Sequence, residues 1–298
     1  MSPTLIVLTS FYPAAQQAVR YADAVASAIG SRVVLLHVDR VSLFDPYTFA
    51  GPGWERRELT EDREMATLLA AQARQLRATA SEEIATDLTP ELARDLAARH
   101  HPAVFVLGRP AAEHLRPDEL STAAGQMLRA MELPLLLVPL GTTAPAPPRQ
   151  VLLAADSEAF ALPGLAEGAR QLLQHLGAEL TVAHVSERED DRACTGALEA
   201  VRRSGLVAGI SRINLLGAQH QHPADGVLAA SSQATADLVV VLARSHSYLG
   251  ELFHRSVTAA VASRSTVPVL IVPAAEPALP RPQPPRVPAD EYLLWPKR

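Results

Sequence analysis

The chain has 298 residues, 48% of them hydrophobic and 20% charged, with a formal net charge of −5, which is enough length for two ordinary domains that each bury a core. The negative charge argues against a general nucleic-acid binder, which needs a basic surface to displace counterions from phosphates, and no run approaches the roughly 18 consecutive apolar residues of a membrane helix. The single cysteine, Cys194, excludes an intrachain disulfide, and Met1-Ser2-Pro3-Thr4-Leu5 lacks the basic start of a leader, so the expectation is a cytoplasmic protein that engages neither nucleic acid nor membrane.

Leu5 to Leu8 is a short apolar run of β-formers, and Pro13 after it suits the first turn of a helix. From Ala14 to Ile29 the apolar residues Ala18, Val19, Ala22, Val25, Ala26 and Ile29 recur at three- and four-residue spacing, and Gly30 supplies a C-cap. Val33 to Val38 is a continuous apolar run, as expected of a strand buried on both faces. The chain therefore opens with a βαβ unit. Further on, the patterns predict a helix over 61–78, a strand over 82–86, a helix over 90–99, a strand over 103–107, a helix over 117–131 and a strand over 135–138. The second half predicts strands over 151–154, 179–185, 212–216, 238–242 and 269–272, with helices over 162–176, 192–204, 223–234 and 256–263. Five strands alternating with four helices in each half describe an α/β protein with two doubly wound five-stranded parallel sheets.

The two halves repeat each other. Gly30 stands seven residues before His37-Val38, as Gly177 stands before His184-Val185; Thr89-Pro90 and His222-Pro223 each open a helix; prolines frame the last strand of each half, at Pro134 and Pro139 and at Pro268 and Pro273. A duplication of this size implies two similar domains, at 1–140 and 149–274. They are joined by a Pro-rich linker at 141–148 and followed by a Pro-rich tail at 275–298 that cannot be a regular helix or inner strand. Gly30 lies 60 residues before Pro90, but Gly177 lies only 46 before Pro223, so the first domain carries a loop insertion, seated at about 40–57.

These features resemble the universal stress protein family in its tandem two-domain form, over residues 3–140 and 149–274. The most specific part is Ser256-Val257-Thr258 leading to Val267-Pro268-Val269-Leu270-Ile271-Val272. The resemblance implies an adenine-nucleotide alpha-hydrolase-like fold with strand order 3-2-1-4-5 in each half and internal pairing of the halves, as a pseudo-dimer, through their fifth strands. A homodimer of such chains and an unidentified protein partner are left open. Family members that bind ATP place an Asp at the end of the first strand against adenine. They use main-chain groups at the end of the second strand and a Gly-x2-Gly-x9-Gly-Ser/Thr loop after the fourth. Glycines let backbone N–H groups approach phosphates, and the helix that follows adds partial positive charge.

Against that pattern the first half is degenerate. Thr9-Ser10 stands in place of the Asp, and Gly108 alone remains of the glycines; Arg109 and His114 could meet an anion, but Glu113 and Asp118-Glu119 oppose one, so this half reads as a structural partner for the second. In the second half Asp156, after Ala155, fits the adenine position and fits an N-cap or Asx-turn equally well. Val185 ends the second strand. After the fourth strand, Ala243, His246 and Arg255 stand at or near the glycine positions before Ser256-Val257. Backbone cradling of a triphosphate is thus in question, while Arg244, His246, His254 and Arg255 could hold a phosphate or sulfate through side chains. The candidate ligand set is Ala155, Asp156, Val185, Ala243, Arg244, His246, Arg255, Ser256 and Val257, with ATP or another adenine nucleotide as the ligand if one binds.

Other residues read as structural. His220-Gln221-His222 has alternate histidines but no further ligand cluster, His100-His101 suits a helix C-terminus, and His37 and His184 end equivalent strands. No nucleophile elbow, Walker loop or zinc-type cysteine set is present, and Cys194 reads as a buried or bystander thiol. No catalytic residue, metal or certain cofactor is expected. The leading reading is a non-catalytic stress-response or regulatory module with degenerate nucleotide sites. The alternatives are a nucleotide or anion sensor working through the second half, and a weak ATPase.

Overall fold

A computed structural model describes residues 1–9, 12–40, 62–110, 132–143, 146–244 and 257–277. The expected helix over 117–131, the insertion from 41 onward and the tail beyond 277 lie outside the described residues. The first half runs β1 (Thr4–Leu8), α1 (Pro13–Ile29), β2 (Arg32–Arg40), α2 (Asp62–Gln75), β3 (Thr79–Asp87), α3 (Pro90–Arg99), β4 (Ala103–Arg109) and β5 (Leu135–Pro139). The second runs β6 (Gln150–Ala154), a 3-10 turn (Gly164–Ala166), α4 (Glu167–Leu176), β7 (Glu179–Ser186), α5 (Asp191–Ser204), β8 (Ile213–Gln219), α6 (Pro223–Gln233), β9 (Leu238–Arg244), α7 (Val257–Arg264) and β10 (Val269–Ala274).

The strands form one ten-stranded sheet in the order β3-β2-β1-β4-β5-β10-β9-β6-β7-β8. Each half is parallel and, counted from its outer edge, follows the order 3-2-1-4-5. The halves join where β5 and β10 meet antiparallel, with Leu135 opposite Ile271, Leu136 opposite Leu270 and Leu137 opposite Val269. The two sheets expected from sequence are therefore continuous, and the central pair Leu136 and Leu270 lies on the local two-fold of the seam.

Helices cover both faces. Ile6, Phe105, Leu137, Val241 and Ile271 point toward the side of α3, α6 and α7; Leu5, Val104, Leu136, Val240 and Leu270 point toward α1, α4 and α5. Inner strands buried on both sides need apolar residues at every position, which is why they read as unbroken runs. Each fully buried Leu or Ile contributes roughly 1.5–3 kcal/mol. The helices α1 and α4 stop at Gly30 and Gly177, whose φ of +66° and +60° suits glycine and strains other L-residues.

Two boundaries differ from expectation for identifiable reasons. The helix expected to reach 78 ends at Gln75, because the Asp23 carboxylate of α1 accepts hydrogen bonds from the backbone N–H of Arg77 (2.8 Å) and Ala78 (2.9 Å) and turns the chain into β3. Side-chain acceptors of this kind compete directly with helical hydrogen bonding. The helix expected over 162–176 begins in regular form only at Glu167, and Pro163 and Gly164 account for the delay. Among the described residues no helix is long and apolar enough to cross a membrane.

Candidate functional site

The duplicated histidines perform the same local task. Nδ1 of His37 lies 3.3 Å from the carbonyl of Thr9, and Nδ1 of His184 lies 3.1 Å from the carbonyl of Ala155. A carbonyl only accepts, so in both rings Nδ1 donates. The amides at these positions are also used, Thr9 N–H donating to Leu36 (2.9 Å) and Ala155 N–H to Ala183 (3.0 Å). Each histidine ties the exit of the first strand to the second, and at Ala155 both main-chain groups are engaged by the protein itself.

Asp156 follows directly, and its Oδ1 accepts from the backbone N–H of Glu158 at 3.1 Å. This is the Asx-turn that the sequence allowed. The same oxygen pairs with Nη2 of Arg244, the last residue of β9. Nη2 also donates to the Glu158 carbonyl (2.8 Å) and Nη1 to the Ala159 carbonyl (3.3 Å). The guanidinium carbon lies 5.6 Å from the centroid of the Phe160 ring, within cation–π range. Phe160 is itself buried, and Ala161 next to it exchanges two 2.9 Å backbone hydrogen bonds with Ala275, just past β10. Residues 156–161 are thus a clamped loop: Arg244 grips its start and the end of β10 grips its finish.

The structure brings Ala155, Asp156 and Arg244 together. Ala243 is buried in register opposite Pro273. Val185 is packed by α6, since a Cβ added to Gly226 would sit 2.4 Å from its Cγ1. Val257 opens α7, whose next residue, Thr258, donates its hydroxyl to the Leu242 carbonyl at 3.2 Å. His246, His254, Arg255 and Ser256 lie outside the described residues, as do Glu113, His114, Asp118 and Glu119.

The first half is built differently at the corresponding place. Gly108 lies opposite Val138, and its counterpart in register, opposite Val272, is Leu242. A Cβ on Gly108 would fall 2.1 Å from the Ala14 carbonyl. The glycine expected to survive from a phosphate loop therefore admits the first turn of α1 against the sheet. With Leu at 242 no helix can come that close, and the segment from Asp156 to Pro163 spans the gap as a loop.

Arg109, which the sequence allowed either to meet an anion or to serve structure, is turned inward. It is 3% exposed; Nη1 donates to the Ser263 carbonyl at 2.8 Å and Nη2 to that of Ser265, at the C-terminal end of α7 in the other half. Burial brings its pKa down to about 10. Arg109 and Arg244 look equivalent in sequence, but Arg109 pairs with Pro139 whereas Arg244 lies one step beyond the pair Ala243–Pro273. That single step sends their side chains to opposite faces of the sheet.

Elsewhere, the backbone N–H of His222 donates to Nδ1 of His220 at 3.0 Å. This bond fixes the His220 proton on Nε2 and gives the ring a local turn-closing role. Among the described residues no group of three or more His, Cys, Asp or Glu side chains gathers as a metal site. Burial, helped by Asp191, raises the pKa of the Cys194 thiol. Sequence reasoning missed Phe160 and the Glu158 and Ala159 carbonyls as partners of Arg244. The available signals were a lone aromatic four residues after Asp156 and the turn-forming Pro163-Gly164.

A model described as the universal stress protein family matches residues 148–273. The solved structures of similar architecture include a universal stress protein from Archaeoglobus fulgidus DSM 4304, with 16% identity, a TM-score of 0.59, and 92% of this chain and 99% of that one covered. A functionally unknown protein from Pseudomonas aeruginosa PAO1 has 15% identity and a TM-score of 0.51 over 91% of this chain and 92% of that one. No curated protein matches. Identities this low establish the fold alone. Residues 148–273 therefore carry a universal stress protein domain, and over about nine-tenths of its length the chain shares its fold with structures such as these.

Proposed function

We propose that the chain is a tandem universal-stress-type module, with 1–140 and 149–274 as its two copies, that acts in stress response or regulation through protein contacts and performs no catalysis. Of the positions that would contact a nucleotide, Ala155, Asp156 and Arg244 are engaged in holding the protein's own loop. The observation that carries this reading is the grip of Arg244 on Asp156 and on the Glu158 and Ala159 carbonyls. A guanidinium whose two amino groups are so engaged occupies Oδ1 of the carboxylate that adenine would need. In the first copy the first turn of α1 sits on Gly108, and the buried Arg109 faces carbonyls. The reading places the protein in the cytoplasm, with its two copies paired internally through β5 and β10.

Thermal unfolding in the presence of ATP, ADP, AMP and cyclic dinucleotides, with phosphate release measured in parallel, tests this reading. A ligand that binds only the folded state raises the unfolding temperature. The expected result is no shift at millimolar ligand and no phosphate release from ATP. A clear shift would favour a nucleotide sensor instead, and phosphate release lost in Asp156→Ala would favour an ATPase.

A further inference from the structure

The direct main-chain joint between the halves is short, three facing residue pairs between β5 and β10. Helices add contacts on both faces. On the α1 and α4 side, a Cβ on Gly168 of α4 would lie 1.9 Å from the carbonyl of Ala103 in β4. On the same side burial, and secondarily the charge of Asp237 from the other half, raises the pKa of the Tyr21 hydroxyl, which has no hydrogen-bond partner among the described residues. These contacts are steric or through space.

The other face has a directional tie. Arg109 leaves the end of β4, is buried, and donates to the Ser263 and Ser265 carbonyls. Carbonyls at a helix C-terminus carry partial negative charge and lack partners within the helix. No carboxylate among the described residues pairs with Arg109, and its Nε has no partner there. The charge is therefore balanced mainly by the end of α7, and separating the two would strand a buried cation on one side and open carbonyls on the other. The tie exists once, because the residue in register with Arg109 in the second half is Ala243.

We propose that Arg109 is a clasp that makes the two halves open and close as one unit, transmitting any displacement at the end of β4 to α7. Hydrogen-exchange mass spectrometry on the full chain tests it, comparing wild type with Arg109→Met. In wild type, amides of β4 and of β9 should share one level of protection. In Arg109→Met, α7 and β10 should exchange at least tenfold faster while β1 and β2 keep their wild-type rates. Equal acceleration in both halves, or unchanged exchange in α7, overturns the proposal. If Arg109→Met does not fold by circular dichroism, Arg109→Lys, which keeps the charge and loses the two-pronged geometry, is judged by the same criteria.

Discussion

The guanidinium of Arg244 crosses 88 positions of sequence to meet the carboxylate of Asp156, and the same nitrogen reaches the Glu158 carbonyl 86 positions away. A residue from the end of the fourth strand thereby holds the loop that leaves the first. The Arg244 side chain is 19% exposed and that of Asp156 50%, so the ionic part of the contact is weakened by solvent. Arg244→Ala should cost about 1–2 kcal/mol, since it also removes two carbonyl bonds and the Phe160 contact, and Asp156→Asn about 1 kcal/mol or less. In urea titrations of the two single variants and the double variant, the coupling energy should be nonzero and below about 1 kcal/mol. Strict additivity would mean that the pair does not interact in solution.

Gly108 and Gly30 should respond differently to alanine. At Gly108 the new methyl would collide with backbone at Ala14, which cannot swing away as a side chain can. At Gly30 nothing lies within 4 Å, and the difficulty is the φ of +66°. Gly108→Ala should destabilise by roughly 1–3 kcal/mol and disturb the N-terminal turn of α1. Gly30→Ala should cost about 1 kcal/mol through backbone strain alone. Denaturation midpoints measure the costs, and amide exchange in Ala14–Ala18 distinguishes the causes.

Much of the fold was legible because inner strands must be apolar on both faces. Leu5–Leu8, Val33–Val38 and Val269–Val272 admit few other readings, and Gly30 and Gly177 mark helix ends through a conformation that favours glycine. The outer strands were less clear. No described residue of β3 or β8 is fully buried, and Ile84 is 38% and Leu215 41% exposed, so their ends could not be read from hydrophobicity. The site was only partly legible, because its character depends on register. Whether Gly108 faces a ligand or a helix, and whether Arg109 and Arg244 share a face, turns on a one-residue offset between strands that local sequence does not encode. The Asx-turn at Asp156 is local and legible, but its ionic partner, Arg244, is remote in sequence.

Acid should remove one specific contribution. Burial alone would raise the pKa of Glu83, but hydrogen bonds from Arg99 and His100 outweigh it and hold the pKa below the usual 4.5. Because the folded value is depressed, the stabilisation is complete above the unfolded pKa and is lost as pH falls through the folded one. Glu83→Gln should therefore be less stable than wild type at pH 7, and the difference should shrink as pH drops below about 4.5. Urea midpoints at pH 7 and pH 3.5 check this; a constant difference would contradict it.

Cys194 is 8% exposed, and its raised pKa leaves little thiolate at neutral pH. An aromatic disulfide reagent should label it far more slowly in the native protein than in urea. The native rate should rise with denaturant along the unfolding transition. Rapid native labelling would mean that α5 opens readily.

The central claim is that Asp156 and the backbone beside it are already occupied by Arg244 and His184. Calorimetric titration of ATP into the wild-type protein tests this most directly. The account predicts no saturable heat up to millimolar nucleotide. Saturable binding at micromolar concentrations, lost in Asp156→Ala, would contradict it.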